Sequence, residues 1–563
     1  MTVSSQFQSV LTKLLSHRMS RICEREGYYG DTQYGFRPGR STSDCIFLLL
    51  AAIRKARKKR YKIAVAFCDL TKAYDSVNRD ILYKKLSSLG FGGRVLAIIQ
   101  SMYFNDCIQV KIGDRLSAPL WFSRGVKQGC CLSPLLFALY IAGLGVKLQM
   151  SKLGIPLGKE VLTGLFFADD LILISKTARR GMGQLLRMVD RFCKDTDMAL
   201  SVSKTFMLTT GARNQSWKIG DSSDTLEESL VAKYLGINIQ LRGRNTLQRE
   251  KDMVKIGRRH AHAILSLTRV GLDRSRVAWI LWETCAVPAM LYGVEAMTVG
   301  VGTVKEMEKI QGMIGSFILQ VQPSTSKVAG WSDAGLMPIE YRIKLRKAMY
   351  YRKIATNHSD CLITECLDEM WREEEVDPWL EDIQSIEEEL QASITVLTKK
   401  ELKSKIINAA VQYVLEQKRQ HKSVDCMPQP STWFKIQPHV TDNAMSKILN
   451  RTRAGNMELG NRTKNRWGLQ WKQCPWCLNK GVQQRLSEVH VILLCPAVKD
   501  ERQRLRIKEM CYGKWRIGTM EPHICLRGFL GQDGALPAEL LKRARLVHQL
   551  VEMWFKRVSR YRN

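Results

Sequence analysis

The sequence predicts an α+β protein that is divided into several domains. Its 563 residues are too many for one hydrophobic core, and at roughly 150 residues per domain they suggest about three or four domains. Strand-like and helix-like runs alternate over residues 1–210, and residues 245–420 have a mostly helical pattern. After Arg451 the composition turns rich in Arg, Trp and Cys, which indicates a small separate module.

The charge balance points to a polyanionic partner. Lys and Arg number 87 against 54 Asp and Glu, a formal net charge of +33. A compact protein tolerates this imbalance when a polyanion shares its surface, so nucleic acid is the first candidate and an anionic membrane the second. The longest uncharged stretch, residues 128–146, nearly reaches membrane-spanning length. Because it contains Pro134 and three glycines, we interpret it as a buried loop and helix and expect no membrane partner.

The cysteines indicate a reducing compartment. All 16 are scattered along a long chain, and the first residues, MTVSSQFQSVLTK, lack the apolar core of a secretory signal. We therefore expect free thiols, a single metal site and a protein that is not secreted.

Strand and helix patterns alternate clearly in the first half. KIAVAFCDL, residues 62–70, is a nearly continuous apolar run that predicts a buried strand ending at Asp69. The following DSVNRDILYKKLSSLG has helical spacing and ends at Gly90. SPLLFALYIAGL predicts a helix that has Ser133 as its cap and Pro134 at its first position.

Two adjacent carboxylates raise the question of a missing cation. LFFADDLILIS, residues 165–175, predicts two short strands with Ala168, Asp169 and Asp170 at the bend. A polar turn is one explanation, since Asp is favoured in turns. The other is a pair of divalent cations about 4 Å apart, which stabilise the attacking and leaving oxygens of a phosphoryl transfer. Such a site needs further carboxylates, and Asp69 at its strand end is the candidate.

Six sequence blocks, in a fixed order between residues 33 and 239, resemble one family. They are QYGFRPGRSTSDCIFLL, VAFCDLTKAYDSV, GVKQGCCLSPLLFALYI, LFFADDLILIS, LSVSKTFML and KYLGINI. Together they closely resemble the reverse transcriptases of non-LTR retrotransposons (long interspersed elements), with group II intron enzymes as more distant relatives. The resemblance implies a right-hand polymerase fold, in which an antiparallel palm sheet is backed by helices.

The resemblance also implies an order of domains. Partial fingers and palm would occupy residues 1–240, a helical thumb residues 241–330, a helical linker region residues 331–450 and a zinc-knuckle module with a terminal helix residues 451–563. KYLGI resembles the strand pair that holds the primer end, and TCAVPAMLYGVEAM resembles a thumb helix. In the family, further finger strands precede the segment that SVLTKLLSHRMS matches, so we expect an N-terminally truncated element.

Catalytic roles carry over at the matching positions. Asp69 and Asp169 match the two principal metal-binding aspartates, and Asp170 matches their less directly involved neighbour. The backbone carbonyl of Leu70 would complete the shell of one metal ion. The implied ions are two Mg²⁺, or Mn²⁺. Lys204 matches the lysine near the pyrophosphate leaving group, where a cation or general acid helps, although an ordinary surface lysine is the alternative.

Substrate-binding roles carry over as well. Tyr74 matches the aromatic residue that closes the sugar pocket against a 2′-hydroxyl, which implies deoxynucleoside triphosphates as substrates; an ordinary core tyrosine is the alternative. Gln128 and Gly129 match the turn beside the incoming nucleotide, where glycine permits close backbone approach. Arg37 could contact template or phosphate, or could only fix its own loop.

The C-terminal module carries an independent metal pattern. Cys474, Cys477, His490 and Cys495 have the spacing C-x2-C-x12-H-x4-C, which suits a closed tetrahedral zinc site. Scattered buried cysteines are the alternative. The surrounding sequence resembles the knuckle region of many non-LTR elements, and nearby aromatic and basic residues are suited to unpaired bases, although the tryptophans could equally form the core of the module. These residues are Trp467, Trp471, Trp476, Arg451, Arg453, Arg462 and Arg466.

Three charged segments have plain explanations. RKARKKRYK, residues 54–62, is most simply a solvated loop, with nuclear import or template contact as alternatives. The acidic residues 371–390 are most simply a solvated helical face or linker. The last segment, LLKRARLVHQLVEMWFKRVSRYR, predicts a packed terminal helix with a basic outer side.

The sequence therefore predicts an RNA-directed DNA polymerase of a non-LTR retrotransposon. Its implied partners are an RNA template, a DNA primer or target DNA, and deoxynucleoside triphosphates, and its implied cofactors are two Mg²⁺ or Mn²⁺ and one structural Zn²⁺. We expect a nuclear and cytoplasmic ribonucleoprotein. The alternative is a catalytically inactive remnant that binds RNA or single-stranded DNA.

Overall fold

The computed structural model describes most of the chain, and the described residues fall into two compact units. The first unit consists of Met1–Arg249, Gly293–Thr298 and Tyr350–Ser385, and the second of Glu250–Tyr292, Val299–Met349 and Ile386–Asn563. The described residues are 5–104, 107–210, 217–219, 225–243, 245–267, 274–321, 334–357, 361–420, 473–480, 482–483, 490–500 and 537–558.

All the described strands lie in the first unit, and six of them form one sheet. The strands are β1 (Ala64–Cys68), β2 (Cys107–Ile108), β3 (Lys111–Ile112), β4 (Arg115–Leu116), β5 (Leu120–Trp121), β6 (Ile155–Leu157), β7 (Glu160–Leu162), β8 (Gly164–Phe167), β9 (Asp170–Ser175), β10 (Phe206–Thr209), β11 (Trp217–Lys218), β12 (Thr225–Glu228), β13 (Ala232–Tyr234) and β14 (Ile237–Ile239). The order in the main sheet is β11-β12-β10-β1-β9-β8, and only the pair β10 and β12 is parallel. The mostly antiparallel sheet agrees with the palm that the resemblance implies.

Helices make up most of the remaining described residues. They are α1 (Gln6–Arg25), α2 (Thr42–Lys58), α3 (Arg79–Ser88), α4 (Gly93–Tyr103), α5 (Ser133–Met150), α6 (Arg180–Asp195), α7 (Leu247–Leu267), α8 (Arg274–Leu281), α9 (Val287–Met290), α10 (Val301–Leu319), α11 (Ile339–Ala355), α12 (Leu362–Arg372), α13 (Pro378–Leu390), α14 (Lys399–Gln420), α15 (Pro475–Leu478) and α16 (Pro537–Val558).

Strand β1 lies at the centre of the sheet because its sequence, AVAFC, is apolar at every position and all five residues are buried. Helices α5 and α6 pack against the sheet, α5 on β8 and α6 on β9, and α3 packs on α5. Leu136, Phe137 and Tyr140 of α5 are fully enclosed in this core. The sheet and these helices form the rigid support from which the loops at the strand ends project.

Among the described residues, two helical segments, Ser133–Met150 and Arg274–Ala296, are long and apolar enough to cross a membrane. Of an apolar stretch of 18 residues in each, 67% in the first and 44% in the second is buried inside the protein. The first is α5, which the sequence predicts as a buried helix.

The predicted N-cap of α5 is wrong by one residue: Ser133 is already helical, and Leu132 precedes it without a side-chain cap bond. Helix boundaries shift this easily because serine and leucine both tolerate the helical backbone.

The basic segment 54–62 is not a simple solvated loop, because its first half forms the last turns of α2. There it meets the acidic stretch, which is likewise not a freely solvated face. Ion pairs join α2 to this stretch and to Glu369 just before it, and Trp379 within the stretch is fully buried. The pairs are Arg54 with Asp377 at 2.7 Å, Lys58 with Glu373 at 2.8 Å and with Glu375 at 3.4 Å, and Lys55 with Glu369. The charge runs therefore complement each other within the first unit.

The second unit is helical and contains a buried ion pair. The Arg342 guanidinium donates two hydrogen bonds to the Glu283 carboxylate, at 2.6 and 3.0 Å, and both side chains are less than 10% exposed.

The segment that resembles a thumb helix is not one continuous helix. It begins in the π-helical turn Trp282–Ala286, passes through α9 and breaks at Gly293, whose φ of +76° lies outside the helical region.

Candidate active site and candidate zinc cluster

Three aspartates meet at one end of the main sheet. β1 ends at Cys68, which lies opposite Leu171 in the neighbouring antiparallel strand β9. The next residue, Asp69, therefore lies beside the turn between β8 and β9, which carries Asp169 and Asp170. Two loops that are distant in sequence thus place three carboxylates together, as the sequence predicts.

The electrostatics of this cluster fit a cation. Surrounding protein atoms, together with the neighbouring charges of Asp169 and Asp69, raise the pKa of the Asp170 carboxyl. Asp169 and Asp170 are nevertheless open to solvent on one side. Carboxylates that repel each other at an accessible sheet edge are the oxygen donors that Mg²⁺ and Mn²⁺ prefer, with open positions left for water or phosphate oxygens. The donor set therefore suits the divalent ions that the resemblance implies.

A segment after α6 holds the backbone of Asp69. The Asp69 amide donates a hydrogen bond to Thr205 Oγ1 at 3.3 Å, and its carbonyl accepts one from the Ser201 amide at 2.8 Å. Sequence reasoning missed both residues, although they flank Lys204 in the block LSVSKTFML. Leu70 is buried beside this segment and forms a bridge to Leu200. The metal-binding role of the Leu70 carbonyl stays a prediction.

Lys204 lies close to the carboxylates. Its Nζ is 3.4 Å from Asp69 Oδ2, and its side chain is 71% exposed. An ion pair this exposed contributes at most about 1 kcal/mol, so the lysine can leave Asp69 for another anion at little cost. The structure therefore places Lys204 beside Asp69 with its ammonium group exposed to solvent.

Tyr74 stands beside the aspartates on a rigid base. Its ring stacks on Phe137 of α5, with 4.9 Å between ring centroids and 14° between ring planes. Burial, and to a lesser degree the charge of Asp169, raises the pKa of the Tyr74 hydroxyl to about 12. The tyrosine is half-buried rather than enclosed in the core, and its neutral hydroxyl interacts with the Asp169 charge.

The loop with Gln128 and Gly129 is tied to the Tyr74 loop. The Val126 amide donates to the Tyr74 carbonyl at 2.9 Å, and Gln128 Nε2 donates to Asp75 Oδ1 at 3.3 Å. Gln128 and Gly129 are both exposed, and Gly129 has a φ of +97°, which favours glycine. The aromatic ring and the glutamine turn thus share one scaffold next to the aspartates.

Arg79 supports the same scaffold and was not predicted. It is 9% exposed, and its guanidinium donates to the backbone carbonyls of Tyr103, Phe122, Arg124 and Gly125, at 2.8 to 3.2 Å. These carbonyls belong to the chain on both sides of the β2–β5 hairpins. A single arginine in a helical run gives no warning of such a role, because its partners are main-chain atoms.

Arg37 lies apart from these groups in an internal network. Its guanidinium donates two hydrogen bonds to the Glu24 carboxylate, at 2.7 and 2.9 Å, and further bonds to the carbonyls of Gly30 and Gln33. The side chain is 6% exposed. Its geometry fits the second of the two predicted roles, in which the arginine fixes its own loop.

The four predicted zinc ligands lie together in the C-terminal region. One ligand atom from each of Cys474, Cys477, His490 and Cys495 lies within 4.8 Å of all the others, and all four residues are buried. The two sulfurs of Cys474 and Cys495 are 3.7 Å apart, and Cys477 Sγ is 3.4 Å from His490 Nε2. Tetrahedral zinc requires about 3.8 Å between two sulfur ligands and about 3.5 Å between sulfur and nitrogen. The residues therefore fit Zn²⁺.

Thiol ionisation supports the same fit. A hydrogen bond from Cys495 lowers the pKa of the Cys474 thiol, whereas burial raises the pKa of Cys477. Three thiolates cannot stay ionised side by side without a cation to balance them.

The terminal helix α16 closes the cluster. Val547, Val551 and Trp554 are fully buried, and the Arg557 guanidinium donates to the Ala497 carbonyl at 2.9 Å, two residues beyond the last ligand. The predicted packed terminal helix is thus present. Trp476 is half-buried, with Lys480 Nζ 6.0 Å from its ring centroid. The other residues proposed to stack on or contact bases lie outside the described part of the chain; they are Trp467, Trp471, Arg451, Arg453, Arg462 and Arg466.

Comparison with known families identifies the segment of the chain in which the three aspartates lie. Residues 3–239 match the family model described as reverse transcriptase (RNA-dependent DNA polymerase). The match confirms the prediction of a reverse transcriptase segment, which contains Asp69, Asp169, Tyr74 and Gln128. The right-hand polymerase fold is supported for this segment by the same match and by its sheet of β-strands backed by helices.

Curated relatives come from transposable elements. The chain is 28% identical over 230 residues to the transposon TX1 uncharacterized 149 kDa protein of Xenopus laevis, which covers 40% of this chain and 17% of that protein. It is 26% identical over 318 residues to the Pol polyprotein of the type-2 retrotransposable element R2DM of Drosophila melanogaster, covering 54% and 29%. It is 23% identical over 367 residues to the probable RNA-directed DNA polymerase from transposon BS of the same species, covering 63% and 40%. The chain therefore spans less than half the length of each of these relatives.

Solved structures give a fainter likeness. Telomerase from Candida albicans, solved in complex with a fragment of telomeric RNA, has a TM-score of 0.33 and 12% identity, covering 68% of this chain and 57% of that one. Apo telomerase from Candida tropicalis has a TM-score of 0.33 and 11% identity, covering 73% and 55%.

Proposed function

We propose that this chain is an RNA-directed DNA polymerase of a non-LTR retrotransposon, which extends a DNA 3′ end on an RNA template with deoxynucleoside triphosphates. One observation carries the proposal: within a segment that matches the reverse transcriptase family, Asp69 meets Asp169 and Asp170 at one sheet end, beside Tyr74 and the Gln128 loop. The names and the family of the relatives supply the substrate class.

Asp69, Asp169 and Asp170 would hold two divalent cations. Bound Mg²⁺ or Mn²⁺ would supply charge stabilisation for the attacking 3′-oxygen and for the leaving pyrophosphate. The chain's own part is to keep the carboxylates in place. The hydrogen bonds from the Asp69 amide to Thr205 and from the Ser201 amide to the Asp69 carbonyl fix the backbone at the strand end.

Other residues orient the nucleotide and receive the leaving group. The stacked, neutral ring of Tyr74 would occupy the space that a ribose 2′-hydroxyl needs, so deoxynucleotides are preferred. Gln128 and Gly129 would line the nucleotide on the side of the Tyr74 loop. Lys204 would leave its ion pair with Asp69 and bind the pyrophosphate instead, because the ion pair is exposed and weak.

Primer extension by purified full chain on an RNA template with Mg²⁺ or Mn²⁺ tests this function. Asp169→Asn removes one charge from the metal-binding set, and we expect it to lower the rate at least about a thousandfold. Asp114→Asn is the matched control, because Asp114 lies exposed in the turn between β3 and β4 and should retain the wild-type rate. Wild-type protein that binds RNA without extending a primer would support the inactive remnant instead, and full activity of Asp169→Asn would refute the site.

The C-terminal cluster has a proposed structural and binding role. Cys474, Cys477, His490 and Cys495 would bind one Zn²⁺ and thereby hold together a zinc knuckle for single-stranded RNA or DNA. The ligand spacing and the burial of all four residues support the metal. Its nucleic-acid role rests on the basic composition and on the resemblance of the surrounding sequence. A nuclear and cytoplasmic ribonucleoprotein is part of the same proposal.

A further inference from the structure

A loop that lies far from the aspartates in sequence reaches the turn that carries them. Residues 32–35 run beside β8, the edge strand of the main sheet. The Phe166 amide donates to the Thr32 carbonyl, and the Tyr34 amide donates to the Phe166 carbonyl, both at 2.8 Å. This pairing places Gln33 and Gly35 against the start of the turn between β8 and β9.

Ala168, the first residue of that turn, has an unfavourable backbone conformation. Its φ is +60°, in the left-handed region that residues other than glycine, asparagine and aspartate seldom adopt. The conformation decides where the next residue, Asp169, points. Something outside the turn must therefore hold Ala168 in place if Asp169 is to keep a constant position.

The side chain of Gln33 fixes the backbone of Ala168 in this conformation. Its side-chain Oε1 accepts a hydrogen bond from the Ala168 amide at 3.2 Å and another from the Gly35 amide at 2.8 Å. Gln33 is 2% exposed, so water does not compete for these bonds. One oxygen thus joins the loop to the turn and satisfies an amide on each.

Gly35 makes the close approach possible. A Cβ atom added there would lie 2.2 Å from the Ala168 nitrogen and 2.9 Å from the Phe167 carbonyl carbon. These are backbone atoms that cannot move without moving the turn. Any larger residue would therefore push the turn away from Gln33 Oε1.

We propose that Gln33 is a positioning residue of the active site: its side-chain oxygen holds Ala168 in the left-handed conformation and so keeps Asp169 aimed at the metal ions. This inference rests on the proposed polymerase function for its catalytic consequence. The hydrogen bond from the Ala168 amide to Gln33 is a property of the chain itself and can be measured without catalysis.

Hydrogen exchange of the full chain without added Mg²⁺ or Mn²⁺ measures the hydrogen bond between Gln33 and Ala168 directly. Gln33→Met keeps the length of the side chain and removes the acceptor, so exchange at the Ala168 amide should quicken about fivefold or more, the effect of losing one buried hydrogen bond. Tyr34→Phe is the matched control, because the Tyr34 hydroxyl has no hydrogen-bond partner among the described residues and its amide bond to Phe166 remains. Gln33→Glu keeps the oxygen and should keep the protection. Equal exchange in the wild type and Gln33→Met would overturn the proposal.

Metal binding and extension test the consequence. In Gln33→Met, Mn²⁺ binding followed by electron paramagnetic resonance should weaken several-fold, and kcat at saturating template should fall about tenfold with the KM for template unchanged. Because glycine adopts positive φ without penalty, Ala168→Gly should reduce the effect of Gln33→Met on Mn²⁺ binding to about twofold.

The double variant separates positioning from general stability. A purely structural glutamine would lower Mn²⁺ binding by the same factor in the Ala168 and Ala168→Gly backgrounds, and that result would overturn the proposal. If the wild type extends no primer, the polymerase proposal fails, whereas exchange and Mn²⁺ binding still decide the role of Gln33.

Discussion

The two ligand clusters of this chain share one electrostatic problem and solve it in opposite ways. Asp69, Asp169 and Asp170 lie at an accessible end of the sheet, with the exposed Lys204 ammonium group 3.4 Å from Asp69. The three cysteines and the histidine of the C-terminal cluster are all buried, with ligand atoms within 4.8 Å of one another. An open oxygen set leaves coordination positions for a substrate, whereas a closed sulfur set has none to spare. The first arrangement suits catalysis and the second suits structure.

The largest expected effect follows from substituting one candidate metal-binding residue in each cluster. Asp69→Asn should lower primer extension about a thousandfold at any template concentration, because the lost charge acts in the transition state. Cys474→Ser should instead weaken template binding and leave extension at saturating template within about threefold of the wild type. Steady-state kinetics over a range of template concentrations separates the two results. A loss of extension at saturating template in Cys474→Ser would show that the clusters do not act independently.

Zinc content sharpens the same comparison. Full chain purified without added metal should contain one zinc per molecule by mass spectrometry, and a strong chelator should remove it and expose the C-terminal region to protease, since metal binding there supplies folding energy. Cys477→Ser should lose the zinc. Cys107→Ser, at an exposed cysteine far along the chain from the cluster, should keep it. Zinc in both variants, or in neither, would contradict the assignment of ligands.

Selection of the sugar should respond to Tyr74. Removing the ring in Tyr74→Val opens space for a 2′-hydroxyl, and we expect ribonucleotide incorporation relative to deoxynucleotide incorporation to rise about tenfold or more. Tyr74→Phe keeps the ring stacked on Phe137 and should behave as the wild type, because a hydroxyl whose pKa is about 12 stays neutral at working pH. Competition between the two nucleotide types in single-turnover extension measures the ratio. An unchanged ratio in Tyr74→Val would show that another residue excludes the 2′-hydroxyl.

Sequence patterns predict the parts of this fold whose cause is local. The buried strand before Asp69, the hairpin around Asp169 and helix α5 each follow from a run of apolar residues and their spacing. The cluster of three cysteines and one histidine is equally predictable, because the spacing of these residues is itself the pattern. The order of the motifs then implies the metal-binding roles proposed for the aspartates.

The supporting contacts could not be predicted, because they join main-chain atoms to side chains that are distant in sequence. Arg79 binds four main-chain carbonyls on both sides of the β2–β5 hairpins, and Gln33 reaches a turn more than a hundred residues away along the chain. The ion pairs between α2 and the acidic stretch were also missed, since each charge run is typical of a solvated segment when considered alone. Only the tertiary fold reveals that the two runs meet.

The smallest expected effect concerns stability at the open cluster. In the folded protein the pKa of Asp170 is raised, so folding favours the protonated carboxyl. A raised folded-state pKa means that the contribution of Asp170 to stability is greatest below its ordinary, unfolded pKa and is lost as the pH rises through the higher folded value. At neutral pH the ionised Asp170 therefore destabilises the metal-free protein.

Replacing Asp170 with asparagine removes that charge. Asp170→Asn should raise the melting temperature of the chain without added Mg²⁺ or Mn²⁺ by about 1 or 2 °C at pH 7, a small gain because the side chain is exposed on one side. The gain should shrink as the pH falls towards the ordinary range of aspartate, where the wild-type carboxyl is protonated too. Added Mg²⁺ should reverse the order, since the cation stabilises the wild type through the carboxylate that the variant lacks. Calorimetry at several pH values, with and without Mg²⁺, checks the gain at pH 7, its decrease at lower pH and its reversal by the cation. A variant that is less stable than the wild type at pH 7 without Mg²⁺ would mean that the protein alone stabilises the Asp170 carboxylate, with no need of a cation.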